Sequence, residues 1–414
     1  MTAITVIFVD EHSTSENNGI GTYRNILLSM LNKEVNVTVI LISLNSQCTD
    51  LTTYTYKNGV EFAVPCVNGG NWRDAGEIIW PLLKQYIVDS PYNVVLFNHS
   101  PCEQNMLHMK REFPLSKIVF LIHNQGWCSP LFGDASLFLQ ITMGNKPQIV
   151  SEETFRRISN YYNTEQAIYR IADAVICLSE STDKYLRTIY KVPESKIYKI
   201  VNGIDLTPTC RRNIARARRE MGLRVEDEVL IFVARPDESK GVIALFKAVE
   251  YVRQTHPYLR CILVGNPYGY FKYWEFFKNM SSNIIFTGQI ANHDICKWYS
   301  IADVGILSSY SEQCSYTAME MMNAGILIVS SNGNGLKDMF ISGKNAFIAN
   351  IGNVLQVDAY AHRLAKSIKQ ALNAPMEQKK QYAAYNRRLL RTKYSASAMA
   401  NKYMKLFRKL ISAE

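Results

Sequence analysis

The chain has no apolar run approaching the ~18 residues that cross a bilayer as a helix, so it does not read as an integral membrane protein. Its opening, MTAITVIFVD, carries no basic n-region and no cleavage site, and reads as a buried strand rather than a secretion signal. The nine cysteines include no CxxC pair and no cluster with metal-ligand spacing. That excludes a zinc-finger or dithiol-redox reading and leads to the expectation of free thiols in a reducing compartment. Neither an aromatic-interleaved RNA-binding motif nor a helix-turn-helix pattern is present, so no nucleic-acid partner is expected. Solenoid repeats and low-complexity tracts are missing too. What remains is the expectation of a cytoplasmic, soluble, multi-domain protein.

At 414 residues, 47% hydrophobic and 20% charged, the chain is too long for one ordinary core, and two or three domains are expected. The net charge of +10 suits phosphate-bearing ligands or an anionic surface. Positive charge is dense in RRNIARARRE (211–220) and in the tail, RRLLRTKY and KLFRKL. The run at 211–220 reads as a solvated helix face.

Short apolar segments recur between helix-length stretches. The first half has ITVIFV (4–9), VTVILIS (37–43), VVLFN (94–98), KIVFLIH (117–123) and AVICLS (174–179). The second half has VLIFVA (229–234), CILVG (261–265), NIIFTG (283–288), VGILSS (304–309) and ILIVSS (326–331). Near-continuous Val/Ile/Leu runs indicate parallel strands buried on both faces. The spacing therefore predicts an α/β chain of two doubly wound, Rossmann-like domains facing a cleft. The first domain is predicted over 1–205 and the second over 206–390. A C-terminal helix is predicted over 391–414, capped at Ser395 or Ser397 and crossing back to the first domain. Residues 125–160 fit no pattern, and a loop or lid is open there.

Ligands of open α/β sheets bind beyond the carboxyl ends of the strands, so the polar loops there are the candidates for chemistry. Gly19 and Gly21, placed before a helix, would let backbone N–H groups approach a phosphate or sugar. The third glycine of a dinucleotide fingerprint is missing, and no acidic residue closes the second strand, which argues against a nicotinamide dehydrogenase. His123 ends a strand and suits a sugar hydroxyl, or equally a core role. His99 is the weaker of the two histidines. Arg235 and Lys240 lie across the strand-to-helix loop of VARPDESKG, where two cations would balance a diphosphate. Gly265, Gln289 and Ile290 follow strands and suit a flat base or phosphate oxygens, or are plain turns.

The stretch SSYSEQCSYTAMEMMNAGILIVSS (308–331) carries Glu312 in a loop and Glu320 inside the helix that follows. A rise of about 1.5 Å per residue separates the two carboxylates in depth, which suits a long ligand touched at both ends. It does not suit an acid/base pair flanking one bond. Ser315, Tyr316 and Thr317 begin that helix, where free N–H groups point at an anion. Base, ribose, diphosphate and sugar laid in a row fit this spacing: Glu320 at the ribose, Glu312 at the sugar.

These motifs, in this order, resemble the retaining glycosyltransferases of the GT4 family, which have the two-domain GT-B fold. The family's E-x7-E motif matches Glu312-QCSYTAM-Glu320, preceded by IADVGILSSYS and followed by MMNAGILIVSS and GLKDMFISGKNAFI. Its phosphate-loop Arg and Lys match Arg235 and Lys240, its glycine loop matches Gly19 and Gly21, and its cleft histidine matches His123 in LIHNQGW. Its interdomain loop matches VNGID (201–205). The likeness spans nearly the whole chain, most strongly over 170–350. Where the family commonly has Pro, Phe and then Gly after the first glutamate, this chain has Gln313, Cys314 and Ser315, and Ala234 replaces the usual glycine before the arginine.

The resemblance implies retaining transfer of a hexose-type sugar without a covalent intermediate, the departing diphosphate helping to deprotonate the acceptor. It assigns His123, Arg235, Lys240 and Glu312 to catalysis. Donor binding falls to Gly19, Gly21, Gly265, Gln289, Ile290, Ser315, Tyr316, Thr317 and Glu320. No DxD motif stands in a suitable loop, so no catalytic metal and no cofactor are expected; the nucleotide-sugar is a substrate, with a UDP-sugar expected ahead of GDP-mannose. The acceptor is left open among glycan, lipid-linked and peptide. The basic tail and the aromatic segments YYNTEQAIYR and YGYFKYWEFF fit either an anionic membrane at the inner face of the cell membrane or simple packing. Two rivals stay open: an inactive GT-B partner subunit, and a sugar-nucleotide epimerase on the same fold.

Overall fold

The computed structural model describes residues 3–11, 19–56, 59–66, 76–98, 102–206, 214–291 and 293–412. They form two compact units. The first comprises Met1–Trp127, Ala135–Asp205 and Ser395–Glu414; the second comprises Cys128–Asp134 and Leu206–Tyr394.

The first unit is built on a sheet of β1 (Ile4–Glu11), β2 (Val37–Ser46), β3 (Thr52–Tyr56), β4 (Gly59–Pro65), β5 (Asn93–Phe97), β6 (Lys117–Leu121), β7 (Ala174–Cys177) and β8 (Ile197–Lys199). Their spatial order is β3-β4-β2-β1-β5-β6-β7-β8, parallel throughout except for the antiparallel β3–β4 pair. The second unit carries β9 (Glu228–Val233), β10 (Leu259–Val264), β11 (Ile284–Gly288), β12 (Val304–Leu307), β13 (Leu327–Ser331) and β14 (Phe347–Ala349). Its order, β11-β10-β9-β12-β13-β14, is all parallel. Read as 3-2-1-4-5-6, this is the doubly wound nucleotide-binding order, with its reversal between β9 and β12.

All ten apolar runs lie on strands; most are buried on both faces, while the edge strand β11 is only partly covered. In β9, Val229, Leu230, Ile231 and Phe232 are all buried, Leu230 and Phe232 in one cluster with the helices Val242–Arg253 and Val357–Leu372. Burying each such side chain contributes about 1.5–3 kcal/mol. The sequence reading missed β3, β4, β8 and β14. The first is largely exposed, with no apolar face to read, and β8 and β14 are three residues each.

The tail is helical over Met376–Thr392 and Ala396–Ser412, and Ser395 Oγ accepts a bond from the Ala398 amide at 3.2 Å, as a cap should. Met399, Tyr403, Phe407 and Leu410 form the buried stripe of the last helix, which packs against the helix Gly19–Leu31 of the first unit.

Several expectations need correction. Gly19 and Gly21 do not precede a helix; they form its first turn. Arg218, in the run expected to be a solvated face, is buried, with its guanidinium on the Ile301 and Asp227 carbonyls and on Asp303. Cys48, Cys66, Cys177 and Cys261 are free thiols, whereas Cys296 is disulfide-bonded. Residues 125–160 divide into turns through Gly133 and the helices Ala135–Thr142 and Glu152–Ile171. No helix among the described residues is long and apolar enough to cross a membrane.

Candidate active site

The reversal between β9 and β12 places the loops after those two strands side by side. The loop after β9 brings Lys240; the loop after β12 brings Glu312. Lys240 Nζ lies 2.6 Å from Glu312 Oε1, with the two side chains only 18% and 20% exposed. Ser309 Oγ donates to the same carboxylate oxygen at 2.8 Å. Two residues 72 positions apart in sequence thus form one half-buried charge pair at the crevice where such sheets bind nucleotides.

The loop carrying Glu312 is clamped by backbone. Tyr310 N–H donates to the Ser239 carbonyl at 2.9 Å, and Ser308 Oγ to the Lys240 carbonyl at 2.9 Å. From the other side, Glu312 N–H donates to the Asn334 carbonyl at 2.8 Å, and Ser331 Oγ to the Ser309 carbonyl at 2.5 Å. Such close approach needs glycine. Gly241 has φ of +72°, and a Cβ there would stand 2.2 Å from the Ser308 carbonyl oxygen. At Gly335, with φ of +76°, a Cβ would stand 2.3 Å from the Glu312 carbonyl oxygen. The segment Cys128–Asp134 leans on the same loop: Asn334 Nδ2 donates to the Gly133 carbonyl at 3.0 Å, and the Phe132 and Tyr310 rings meet at 5.0 Å.

Arg235 is not gathered into this cluster. Its side chain is 81% exposed, and its ion partner is Asp237 at 3.6 Å. Ser315 caps the helix Tyr316–Ala324, its Oγ accepting from the Ala318 amide at 3.2 Å. Tyr316 is buried, and Thr317 Oγ1 lies 3.4 Å from the Val233 carbonyl at the end of β9. Glu320, inside that helix, accepts from Tyr299 Oη at 2.9 Å. Burial raises the Glu320 carboxyl above its ordinary value, the Tyr299 bond partly opposing it, and burial likewise pushes the Tyr299 phenol well up. Gly265 brings the β10 loop against the β9 loop: a Cβ would lie 2.8 Å from the Ala234 carbonyl oxygen, and the residue's φ is +145°. Its N–H donates to Gly288, after which Gln289 is exposed and Ile290 half-buried.

In the first unit, His123 stands two residues beyond β6. Its Nε2 lies 2.9 Å from Oδ1 of the buried Asn98, at the end of β5, and its ring meets Tyr23 edge-on at 4.8 Å. Tyr23 follows Gly21 on the helix Gly19–Leu31, and its hydroxyl bonds Tyr403 Oη at 2.5 Å. The loop after His123 is anchored by the buried Glu165, which accepts from the Gly126 amide at 2.8 Å and from Tyr190 Oη. Desolvation pushes the Glu165 carboxyl up to about 7. His99 lies outside the described residues.

Sequence reasoning missed Asn98, Ser309, Tyr299, Glu165, Gly241 and Gly335. The glycines were legible in principle: GNG (333–335) follows β13, and Gly241 closes the ARPDESKG loop. The others owe their place to tertiary contacts over 21 to 39 positions or, for Ser309, to a short loop turn.

Comparison with known proteins bears on this arrangement. Residues 213–389 match the family model described as glycosyl transferases group 1, and residues 18–208 match glycosyltransferase family 4. A D-inositol 3-phosphate glycosyltransferase of Corynebacterium kroppenstedtii is 25% identical over 241 residues, 52% of this chain and 52% of that protein. The chain spans between 52% and 64% of the length of the first curated relatives it matches. Among solved structures, a sucrose-phosphate synthase from Thermosynechococcus elongatus shares the fold, with a TM-score of 0.77 over 99% of this chain and 100% of its own, at 18% identity. An Anabaena protein crystallised with UDP and glucose has a TM-score of 0.67 over 98% of this chain and 100% of its own, at 15% identity. With two Rossmann-like units, the E-x7-E helix and both family models in sequence along it, the chain belongs to the GT4-type glycosyltransferases of GT-B fold.

Proposed function

We propose that the protein moves a hexose-type sugar from a UDP-sugar to a glycan, lipid-linked or peptide acceptor, with retention of configuration and without a metal ion. The observation that carries this reading is the Lys240–Glu312 pair, held by glycine loops at the reversal of the second sheet. The Anabaena neighbour, crystallised with UDP and glucose, supports the choice of donor.

In this reading the C1–O bond to the diphosphate breaks while a C1–O bond to the acceptor forms on the same face. The acceptor's proton passes to a departing phosphate oxygen. Lys240, Arg235 and the amides of Ser315, Tyr316 and Thr317 offset the charge that develops on the diphosphate. Arg235, now facing solvent, swings onto the phosphates when they arrive. Glu312 orients the sugar, Glu320 accepts from the ribose hydroxyls, and His123 bonds a sugar or acceptor hydroxyl. Gly265, Gln289 and Ile290 take the nucleotide base, and the first turn at Gly19 and Gly21 approaches the donor by its backbone.

The aromatic segments weigh on the choice of acceptor. In YYNTEQAIYR, Tyr169 is buried and Tyr162 meets Phe138 edge-on and Tyr190 at a tilt, which supports packing. In YGYFKYWEFF, Tyr270, Tyr273 and Phe277 are buried while Tyr268, Phe271, Trp274 and Phe276 are exposed. The exposed four are the surface on which a peripheral contact with an anionic membrane would rest.

The test is a thermal-shift panel of UDP, GDP, ADP and their sugar conjugates on wild type and on Glu320→Ala. A shift with uridine nucleotides alone, lost in the variant, supports the donor and the ribose role. No shift with any nucleotide overturns the reading.

A further inference from the structure

The Arg235 side chain faces solvent, yet the backbone on either side of it is held. Before it, the Ala234 carbonyl accepts a hydrogen bond from Tyr270 Oη at 3.2 Å. After it, Pro236 lies so close to Gly269 that a Cβ there would stand 2.3 Å from the proline Cγ. Both grips come from one short helix, Pro267–Phe271, which follows the loop after β10. Asn266 caps that helix, its Oδ1 accepting the Tyr268 amide at 3.0 Å. Beyond Pro236, the Asp237 amide donates to the Arg235 carbonyl at 2.9 Å and closes the turn.

Tyr270 is fully buried, with its ring 5.5 Å from that of Phe286. A phenylalanine would supply the same ring to the core; what the tyrosine adds is a donor. Burial pushes the phenol above its ordinary value, so the hydroxyl keeps its proton and can donate it to the carbonyl.

We propose that Tyr270 is a positioning residue for Arg235: it fixes the peptide from which the arginine springs, so that only the side chain moves when a diphosphate arrives. This rests on the reading above in which Arg235 swings onto the phosphates. An arginine on a loose loop would lose backbone as well as rotamer freedom on binding; here the backbone is ordered in advance. Gly265 and Asn266, which lead into the helix, belong to the loop assigned to the base. The helix therefore ties the base loop to the phosphate loop.

The experiment is a calorimetric titration of UDP into wild type, Arg235→Ala, Tyr270→Phe and the double variant, at a temperature where all four are folded. Arg235→Ala is expected to weaken UDP binding roughly ten- to hundredfold, as for lost hydrogen bonds to a charged group. Tyr270→Phe, which keeps the ring, is expected to weaken it roughly three- to tenfold. The double variant should bind no more weakly than Arg235→Ala alone, because the hydroxyl acts through the arginine. A merely structural hydroxyl would lower the melting temperature and leave the affinity for UDP unchanged. Losses that multiply in the double variant, or a Tyr270→Phe affinity equal to wild type, overturn the proposal and leave the reading of Arg235 standing. Wild-type affinity in Arg235→Ala overturns that reading and the proposal with it, and a wild type that does not bind UDP overturns the donor reading and the proposal together.

Discussion

Glu165 Oε1 accepts the Gly126 amide proton at 2.8 Å, so a buried carboxyl on the helix Glu152–Ile171 holds the loop that begins at His123. A Cβ at Gly126 would come within 2.5 Å of the Tyr161 ring, which keeps the loop close to that helix. Burial raises the Glu165 carboxyl from 4.5 to about 7. Between those values the folded chain holds a proton that the unfolded chain has lost, so stability is full below pH 4.5 and declines as pH rises through 7. The loss is on the order of 3 kcal/mol. Melting curves from pH 5 to 8 should fall more steeply for wild type than for Glu165→Gln, and equal slopes would refute the assignment.

Glu312→Gln removes the charge that faces Lys240. The variant should lose about 2 kcal/mol, as for a hydrogen bond to a charged group. It should also lose the thermal shift that a nucleotide-sugar gives to wild type. A variant that melts lower but still binds the donor normally would make the pair structural.

Gly241→Ala places a Cβ against the Ser308 carbonyl at a positive φ. It is expected to cost more than about 1 kcal/mol and, by shifting the Glu312 loop, to weaken donor binding at least as much. Denaturant unfolding together with a donor titration separates the two effects. Gly222→Ala is the control: its φ is also positive, but nothing lies within 4 Å of its added Cβ, so it should show the strain alone.

Arg218→Met leaves the Ile301 and Asp227 carbonyls and Asp303 without their shared donor. A loss of about 3–5 kcal/mol is expected, measured by denaturant unfolding, because the partners stay buried. A solvated arginine of the kind first expected for this run would change stability by roughly 0.5 kcal/mol or less.

Turnover by the purified enzyme should survive EDTA. A loss restored by a divalent cation would overturn the metal-free mechanism.

The ten apolar runs were legible because parallel strands, most of them buried on both faces, leave no alternation to misread. Lys240 and Glu312 were legible as residues, since charge in a loop beyond a buried strand stands out. Their pairing was not, because it depends on β12 lying beside β9 rather than beside β11. Arg218 shows the opposite limit. Nothing in RRNIARARRE marks which arginine turns inward, and that is decided in part by the Ile301 carbonyl and the Asp303 carboxylate, 83 and 85 positions away. Asn98 is likewise an ordinary polar residue after a strand until β5 and β6 are set side by side.

The last helix, Ala396–Ser412, belongs to the unit that begins the chain. During synthesis the N-terminal part of a chain ordinarily folds first. Here Tyr23 must wait for Tyr403, 380 residues later, and the segment Cys128–Asp134 must wait for Tyr310 and Asn334. A nascent chain stalled before residue 396 would therefore present the helix Gly19–Leu31 with the face that packs on the last helix uncovered.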